Sequence, residues 1–315
     1  MADIYILHEN DEWTAPLLKE LDELGADYEA WHMHEGHVPL HEEPPHGIFY
    51  NRMSASSHTR GNRYSPELTA AVLNWLEQHG RTVMNGSRAL YLEVSKAAQY
   101  ASLETYGIRV PKTTAAVGDD ALLKAAASMP VPFITKHNRA GKGLGVQRVD
   151  STDALAAALE TGTVDPSVDG VMLLQQYIDS PDSSIVRCEF INGRFMYAVK
   201  VDTGGSFELC PADACSLEES YCPTDAAPAS PSFEIVENFN SPLIPKYEAF
   251  LKANDIAFAG IEQMTDRDGT TYTYDVNTNT NYNREAEARY GTSGMQEIAR
   301  TLVSAAKGAA GIESY

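Results

Sequence analysis

Two dipeptides constrain the fold of this chain more than anything else in it. Asn192-Gly193 separates the strand-like runs Ile185–Ile191 and Arg194–Val201, and Asp268-Gly269 separates Ala259–Thr265 from Thr271–Asn277. Asn-Gly and Asp-Gly favour the positive-φ backbone of tight hairpin turns, so each pair of runs predicts two antiparallel strands. The N-terminal segment reads differently. Ile4–His8, Tyr28–Met33 and Gly47–Asn51 are strand candidates, and Thr14–Leu24 reads as a helix capped by Thr14 and stopped by Gly25. Ser65-Pro66 opens another helix, with Leu68, Val72, Leu73 and Leu76 at helical spacing up to Gly80. Such alternation predicts a small open α/β unit with mostly parallel strands. The expected class is α/β, of the α+β kind.

The middle of the chain reads as a helix over Glu93–Tyr106, helical runs at Asp120–Met129 and Thr152–Glu160, and strands at Val131–Lys136, Leu144–Val149 and Val171–Gln175. Asp202–Asn238 has no periodicity, which predicts a long loop and a candidate lid. Helices are expected at Ile244–Ala253, Asn283–Arg289 and Gly294–Ala309. Units are expected over residues 1–86, 87–170 and 171–315. No apolar run approaches the 18 residues of a membrane span, and the start Met-Ala-Asp-Ile-Tyr carries no leader pattern. Cys188, Cys210, Cys215 and Cys222 lack metal-ligand spacing. The reading is reduced thiols in a cytoplasmic protein.

Lys and Arg number 24 against 44 Asp and Glu, a net charge of −20. That balance argues against a polyanionic partner such as nucleic acid, and against anionic lipid. The bases are not evenly spread. Pro44–Pro66 holds Arg52, Arg60 and Arg63 without an acid, and Phe133–Arg148 holds Lys136, Arg139, Lys142 and Arg148 without one. Removing those seven leaves 17 bases against 44 acids, or −27. Two basic islands in an acidic chain point to local anion sites. The histidines His32, His34, His37 and His41 are unevenly spaced among acids and read as a solvated loop.

The second island contains a loop, Lys136-His-Asn-Arg-Ala-Gly-Lys-Gly-Leu-Gly145, flanked by strands. Gly141, Gly143 and Gly145 let backbone N–H groups approach an anion. It is neither a Walker A loop nor a dinucleotide fingerprint, because no Gly-Lys-Ser/Thr occurs and no helix follows. In the second hairpin, Asp275 and Asn277 share a strand face, and Glu262 lies near Asp275 on the partner strand. Three oxygen donors on one sheet face suit Mg²⁺; a solvated polar face is the alternative. Arg187 and Lys200 lie on the two strands of the first hairpin.

In this order the pieces resemble the ATP-grasp superfamily, specifically the RimK-type (alpha-L-glutamate ligase-like) carboxylate–amine ligases. The resemblance rests on Ser95-Lys96-Ala97, the Lys136 strand with its glycine loop, Gln175-Gln-Tyr-Ile178, Ile185-Val-Arg187, and Gly260-Ile-Glu262 with Asp275-Val-Asn277. It covers about Tyr50 to Ala309. It implies an ATP-grasp fold preceded by an open α/β pre-ATP-grasp domain. It implies that Lys96, Lys136, Gly141, Lys142, Gly143 and Gly145 meet ATP, that Gln175, Gln176, Tyr177 and Ile178 form the adenine linker, and that Glu262, Asp275 and Asn277 hold Mg²⁺, as two ions, with Mn²⁺ as a substitute. Arg187, with Lys200 and Asn279 nearby, would stabilise the transferring phosphoryl group. Gln176 replaces the Glu that many relatives carry, and Asn/Thr residues follow Asp275-Val-Asn277 in place of a short Pro-Gly ending.

The implied reaction joins a small-molecule or peptide carboxylate to an amine such as an amino acid, with ADP and phosphate as products. Arg52, Arg60 and Arg63 are the candidates for the substrate carboxylate. A homo-oligomer is expected, as among the relatives. Two other readings stay open: a phosphotransferase on the same fold, and a nucleotide-binding interaction protein without turnover.

Overall fold

The computed structural model describes residues 2–141, 143–181, 183–202 and 233–312, with side chains through 308. The first unit holds β1 (Ile4–His8), β2 (Tyr28–His32), β3 (Ile48–Asn51) and β4 (Thr82–Met84). All pair in parallel in the order β2-β1-β3-β4. Helix α1 (Asp11–Glu23) begins earlier than Thr14, because the Asn10 side chain caps it by accepting the Trp13 N–H at 2.9 Å. Helix α2 (Ser65–Gln78) has Pro66 in its first turn and buries Val72, Leu73 and Leu76 against Tyr5, Leu7 and Phe49.

The stretch read as one helix from Glu93 is two, α3 (Ser87–Glu93) and α4 (Lys96–Thr105). Ser95 breaks the run because its hydroxyl accepts the Ala98 N–H, making it the cap of the second helix. Next come β5 (Thr113–Ala116), α5 (Asp119–Ala126), β6 (Phe133–His137), β7 (Gln147–Val149), α6 (Thr152–Glu160) and β8 (Met172–Gln176). Strand β7 is shorter than expected, since Gly143 and Gly145 adopt φ of 72° and 74° and keep the chain in turns to Val146.

The third sheet is antiparallel, in the order β11-β10-β9-β12-β13. Its strands are β9 (Ser184–Ile191), β10 (Arg194–Asp202), β11 (Phe233–Ile235), β12 (Phe258–Thr265) and β13 (Thr271–Asn277). Both hairpins have the expected turns, with Asn192 at φ 51° and Gly269 at φ 79°. Helices α7 (Ile244–Ala253), α8 (Arg284–Tyr290) and α9 (Gly294–Ile312) complete the fold. Residues 233–235 of the expected loop form strand β11. The lid reading of that loop, with Cys210, Cys215 and Cys222, lies outside the described residues. Cys188 is a buried free thiol, and burial pushes its pKa up to about 12.

Two expected boundaries move. Strand β8 does not open the C-terminal unit; it is the second strand of the middle sheet, β5-β8-β6-β7, with Gln175 opposite both Thr113 and Ile134. Its apolar Met-Leu-Leu run needs a partner on each edge, and β5 and β6 supply them. Helices α3 and α4 leave the middle unit, because Leu92, Tyr100 and Leu103 pack with Phe190, Tyr247 and Phe250 of the C-terminal layer. Helix α9 returns to the N-terminal sheet, placing Ile298 and Leu302 among Ile4, Ile6 and Leu17. Fully burying one such leucine contributes about 1.5–3 kcal/mol, so these exchanges bind the units together. Among the described residues no helix is long and apolar enough to cross a membrane.

Candidate active site

One cleft, of about 240 Å³, runs between the middle sheet and the C-terminal sheet. Its floor follows from strand register. Arg187 on β9 lies opposite Glu262 on β12, which lies opposite Asp275 on β13. Residues directly opposite share a face, so these three side chains form one row. The next row on that face is Glu189, Gly260 and Asn277. A bulge between Glu262 and Gln263 adds a residue to β13, so Tyr274 and Asp275 both line the cleft although they are neighbours.

Gly260 leaves the space that Arg187 occupies. A Cβ there would lie 2.3 Å from Arg187 Nη2. The guanidinium cannot step aside easily, because Nε donates to Glu189 at 2.6 Å and Nη1 to Glu262 at 3.1 Å. Burial opposes the charge of Arg187, yet the two carboxylates outweigh it and raise the guanidinium pKa further. Glu189 feels burial most, and its pKa is pushed up to about 7 despite Arg187. Gly260→Ala is expected to lower stability by about 1–3 kcal/mol, the usual cost of overpacking. In an Arg187→Ala background that cost should vanish. Equal losses in both backgrounds, measured by denaturant melts, would refute the crowding account.

Two lysines face this row. Helix α4 is docked by Asn138 at the end of β6, whose side chain accepts the Ala97 N–H at 2.9 Å and whose carbonyl accepts the Lys96 N–H at 3.1 Å. Lys96 therefore projects into the cleft and donates to Asp275 at 2.6 Å. Burial opposes ionisation of Asp275, but Lys96 and Lys136 prevail and hold its carboxyl below the usual range. Lys136 is buried and donates to the Tyr100 hydroxyl at 3.2 Å; burial lowers its pKa, against the pull of Asp275 and Glu262.

Gly141, Gly143, Gln175, Gln176, Tyr177, Ile178, Asn277 and Asn279 all line the cleft. Gly145 lies just outside the lining, pressed on the His137 ring, where a Cβ would come within 2.5 Å. Lys142 lies outside the described residues. The Gln176 N–H already donates to the Lys112 carbonyl at 2.8 Å, which removes it from the expected adenine-binding backbone groups. Asn277 Nδ2 donates to Glu262 at 3.3 Å, and Asn279 Oδ1 is buried with no hydrogen-bond partner.

Four further expected site residues do not line the cleft. Lys200 is exposed and pairs with Val186, so it points to the sheet face opposite Arg187. Arg52 is 1% exposed and sits behind the cleft wall, donating to the Trp13 and Thr280 carbonyls and to Asn281. Arg63 turns outward to Glu67 and the Val168 carbonyl. Arg60 forms an ion pair with buried Glu9 and lies 4.4 Å over the Trp13 ring. None of the three arginines lines the cleft, whereas Trp13 and Ser56 beside Arg60 do.

The strand pattern did not point to Glu93. It lines the cleft and fastens the first unit to the end of β13, accepting the Ala55 N–H at 3.2 Å and the Thr278 N–H at 2.7 Å. Burial raises its pKa, against those hydrogen bonds. Its only signal in the sequence is an acid directly after the apolar run Ala89-Leu-Tyr-Leu92.

No protein-family model matches the chain, and no curated protein matches it. Solved structures do. A RimK domain ATP-grasp protein from Sphaerobacter thermophilus aligns at TM-score 0.68 and 17% identity, over 96% of this chain and 99% of that one. The ATP-grasp ligase PsnB, complexed with a minimal precursor, aligns at 0.67 and 16% over the same shares, and another of its structures holds minimal precursor, Mg and ADP. The D-cycloserine synthetase DcsG aligns at 0.62 and 15%, over 96% of this chain and 99% of that one. Identities this low carry the architecture alone, and over nearly its whole length this chain has the ATP-grasp fold.

Proposed function

We propose that this protein is an ATP-dependent ligase that joins a carboxylate to an amine through an acyl phosphate, releasing ADP and phosphate. The observation that carries the reading is the row Arg187, Glu262 and Asp275 on one sheet face, met by Lys96 and Lys136 across one cleft. Cations for phosphate oxygens and oxygen donors for a hard cation thus converge. The ligase and synthetase named above support the same chemistry.

The donor set fits Mg²⁺. Glu262, Asp275 and Asn277 offer oxygens, and Asn279 adds a buried one that finds no partner among the described residues. These residues would hold two ions, with Mn²⁺ as a substitute. Bound there, Mg²⁺ neutralises charge on the phosphates.

The chain's own residues do the rest. Lys96 and Lys136 hold phosphate oxygens, with Lys96 leaving Asp275 to do so. Gly141 and Gly143 bring backbone N–H groups over the phosphates, and Gln175, Tyr177 and Ile178 flank the adenine. The carboxylate oxygen attacks the γ-phosphorus and the bond to ADP breaks. The amine nitrogen then attacks the acyl carbon, phosphate leaves, and the nitrogen gives up a proton. Arg187, clamped by Glu189 and Glu262, presents fixed positive charge to the transferring group without reorganising. Arg60, beside Trp13 and Ser56 at the cleft edge, is the remaining candidate for the substrate carboxylate, a small molecule or peptide.

The test is a product assay over a panel of acids and amino acids with ATP and Mg²⁺. ADP, phosphate and amide should form in equal amounts and require both substrates. AMP with pyrophosphate would overturn the scheme, and a stable phosphorylated acid formed without amine would make the protein a phosphotransferase.

A further inference from the structure

Outside the cleft, metal-binding side chains converge at the carboxyl end of the N-terminal sheet. His8 ends β1 and His32 ends β2, and the parallel register sets them side by side. Asp11, the first residue of α1, is carried over that end by the short turn after β1. His8 Nδ1 lies 3.8 Å, and His32 Nε2 3.7 Å, from Asp11 Oδ1, and the three atoms fall within 4.8 Å of one another. Those distances are too long for hydrogen bonds. His8 is only 4% exposed, and among the described residues its buried Nδ1 finds no hydrogen-bond partner. A buried ring nitrogen without a partner is costly unless something else binds it.

We propose that His8, Asp11 and His32 form a binding site for a divalent transition-metal ion, with Zn²⁺ the ion that fits best. Two imidazole nitrogens and one carboxylate oxygen are a zinc-type donor set, and three protein ligands leave a fourth position for water. Tetrahedral zinc with bonds of about 2.0–2.1 Å places its ligand atoms about 3.4 Å apart. The two contacts of Asp11 therefore need to contract by only a few tenths of an ångström, and the two imidazole nitrogens, within 4.8 Å of each other, by no more than about 1.4 Å. Asp11 is solvent-exposed and free to make that adjustment. Burial, followed by the neighbouring His32, lowers the pKa of His8, which keeps the ring neutral and its lone pair available.

The surroundings orient the ligands. His34 Nδ1 lies 2.6 Å from His32 Nδ1, and His34 Nε2 lies 3.3 Å from Glu35. One proton arrangement satisfies both contacts. His32 donates from Nδ1 to His34, and His34 donates from Nε2 to Glu35. The Nε2 lone pair of His32 is then aimed at Asp11 and His8. The His34 N–H also approaches His32 Nδ1, but at 3.4 Å it is the weaker contact. Second ring nitrogens held in this way raise metal affinity. Asp11 stands two residues before Trp13, which lines the cleft, so a bound ion would fix the start of α1. Imidazole donors here and all-oxygen donors in the cleft make the two sites select different metals.

The experiment is calorimetric titration of the full, chelator-stripped protein with Zn²⁺ in excess Mg²⁺, paired with visible spectra of the Co²⁺ form. One ion per chain is expected at micromolar affinity or better, with tetrahedral Co²⁺ bands. His32→Gln and Asp11→Asn, both accessible positions, should each weaken binding at least tenfold and abolish the Zn²⁺-induced rise in melting temperature. Asp275→Asn should leave binding intact. His8→Gln should behave like His32→Gln once its fold is verified by circular dichroism. Failure of the wild type to bind up to millimolar Zn²⁺, or full binding by both His32→Gln and Asp11→Asn, would overturn the site.

Discussion

Asp275→Asn is expected to cut ATP-dependent turnover by at least about a thousandfold. Asp275 sits at the junction of the site, opposite Glu262 in register and hydrogen-bonded to Lys96. Asparagine keeps the shape and one oxygen but removes the charge that a hard cation requires. Metal stabilisation of developing charge is worth several kcal/mol, and each 1.36 kcal/mol is about tenfold in rate. The loss should appear in the turnover number and in the Mg²⁺ dependence. Lys136 is also affected, because Asp275 is the main group holding its pKa up against burial. Without that carboxylate, the lysine releases its proton more readily. Steady-state kinetics across Mg²⁺ concentrations decide the matter, and a variant with near-native turnover would remove Asp275 from the metal site.

Arg187→Met is expected to destabilise the fold by about 3–5 kcal/mol near neutral pH, the usual result of removing one partner from a buried ion pair. Arg187 is 5% exposed, and its guanidinium bridges Glu189 and Glu262. Its loss leaves two buried carboxylates without a cation. The pH dependence has a definite sign. The Glu189 pKa is about 7 in the folded wild type, above the 4.5 of a free glutamate. Between those values the native state holds more protons than the unfolded state, so the Glu189 contribution to stability falls as pH rises. Without Arg187 the folded pKa rises further and the window widens upward. Denaturant melts should therefore find the variant closest to wild type near pH 5 and furthest from it above pH 7. A deficit independent of pH would mean that Arg187 acts through packing alone. Activity should be lost in either case.

Local chemistry made much of this legible. Asn192-Gly193 closes the first C-terminal hairpin as a two-residue turn with both residues at positive φ, and the second closes through a longer turn in which Gly269 takes the positive φ. Counted from that turn, the register would set Glu262 opposite Tyr274, and the bulge after Glu262 moves it opposite Asp275. The glycine loop was legible for a similar reason, since few residues other than glycine accept the backbone at Gly143 and Gly145. Other features were not. Strands β4, β5 and β11 are three or four residues long, too short for any periodicity to register. Lys200 shows the limit of counting along a hairpin. It lies on the strand opposite Arg187, but one step of pleat separates the two faces, and only the register distinguishes Val199 from Lys200 as the residue facing Arg187.

The arginines of the first basic island make the same point for charge. Composition registers a cluster of cations but not what each one meets. Arg60 finds Glu9, Arg63 finds Glu67, and Arg52 finds carbonyls from residues 13 and 280. Glu67 is only four residues from Arg63, but Glu9 and residue 280 are remote from Arg60 and Arg52, so the burial and pairing of those two are decided only by the tertiary fold.

By itself, the sequence determined elements whose information is local: the hairpin turns, the glycine loop and the alternation that puts Asp275 and Asn277 on one face. Tertiary structure alone decided which strands became neighbours, and with that the row Arg187–Glu262–Asp275, the seat of Lys96 against it, and the approach of Asp11 to His8 and His32. The physical reason is range. Turn and cap preferences act over a few residues, whereas burial and pairing depend on groups separated by up to some 300 positions, brought together only when the apolar faces of the sheets are covered.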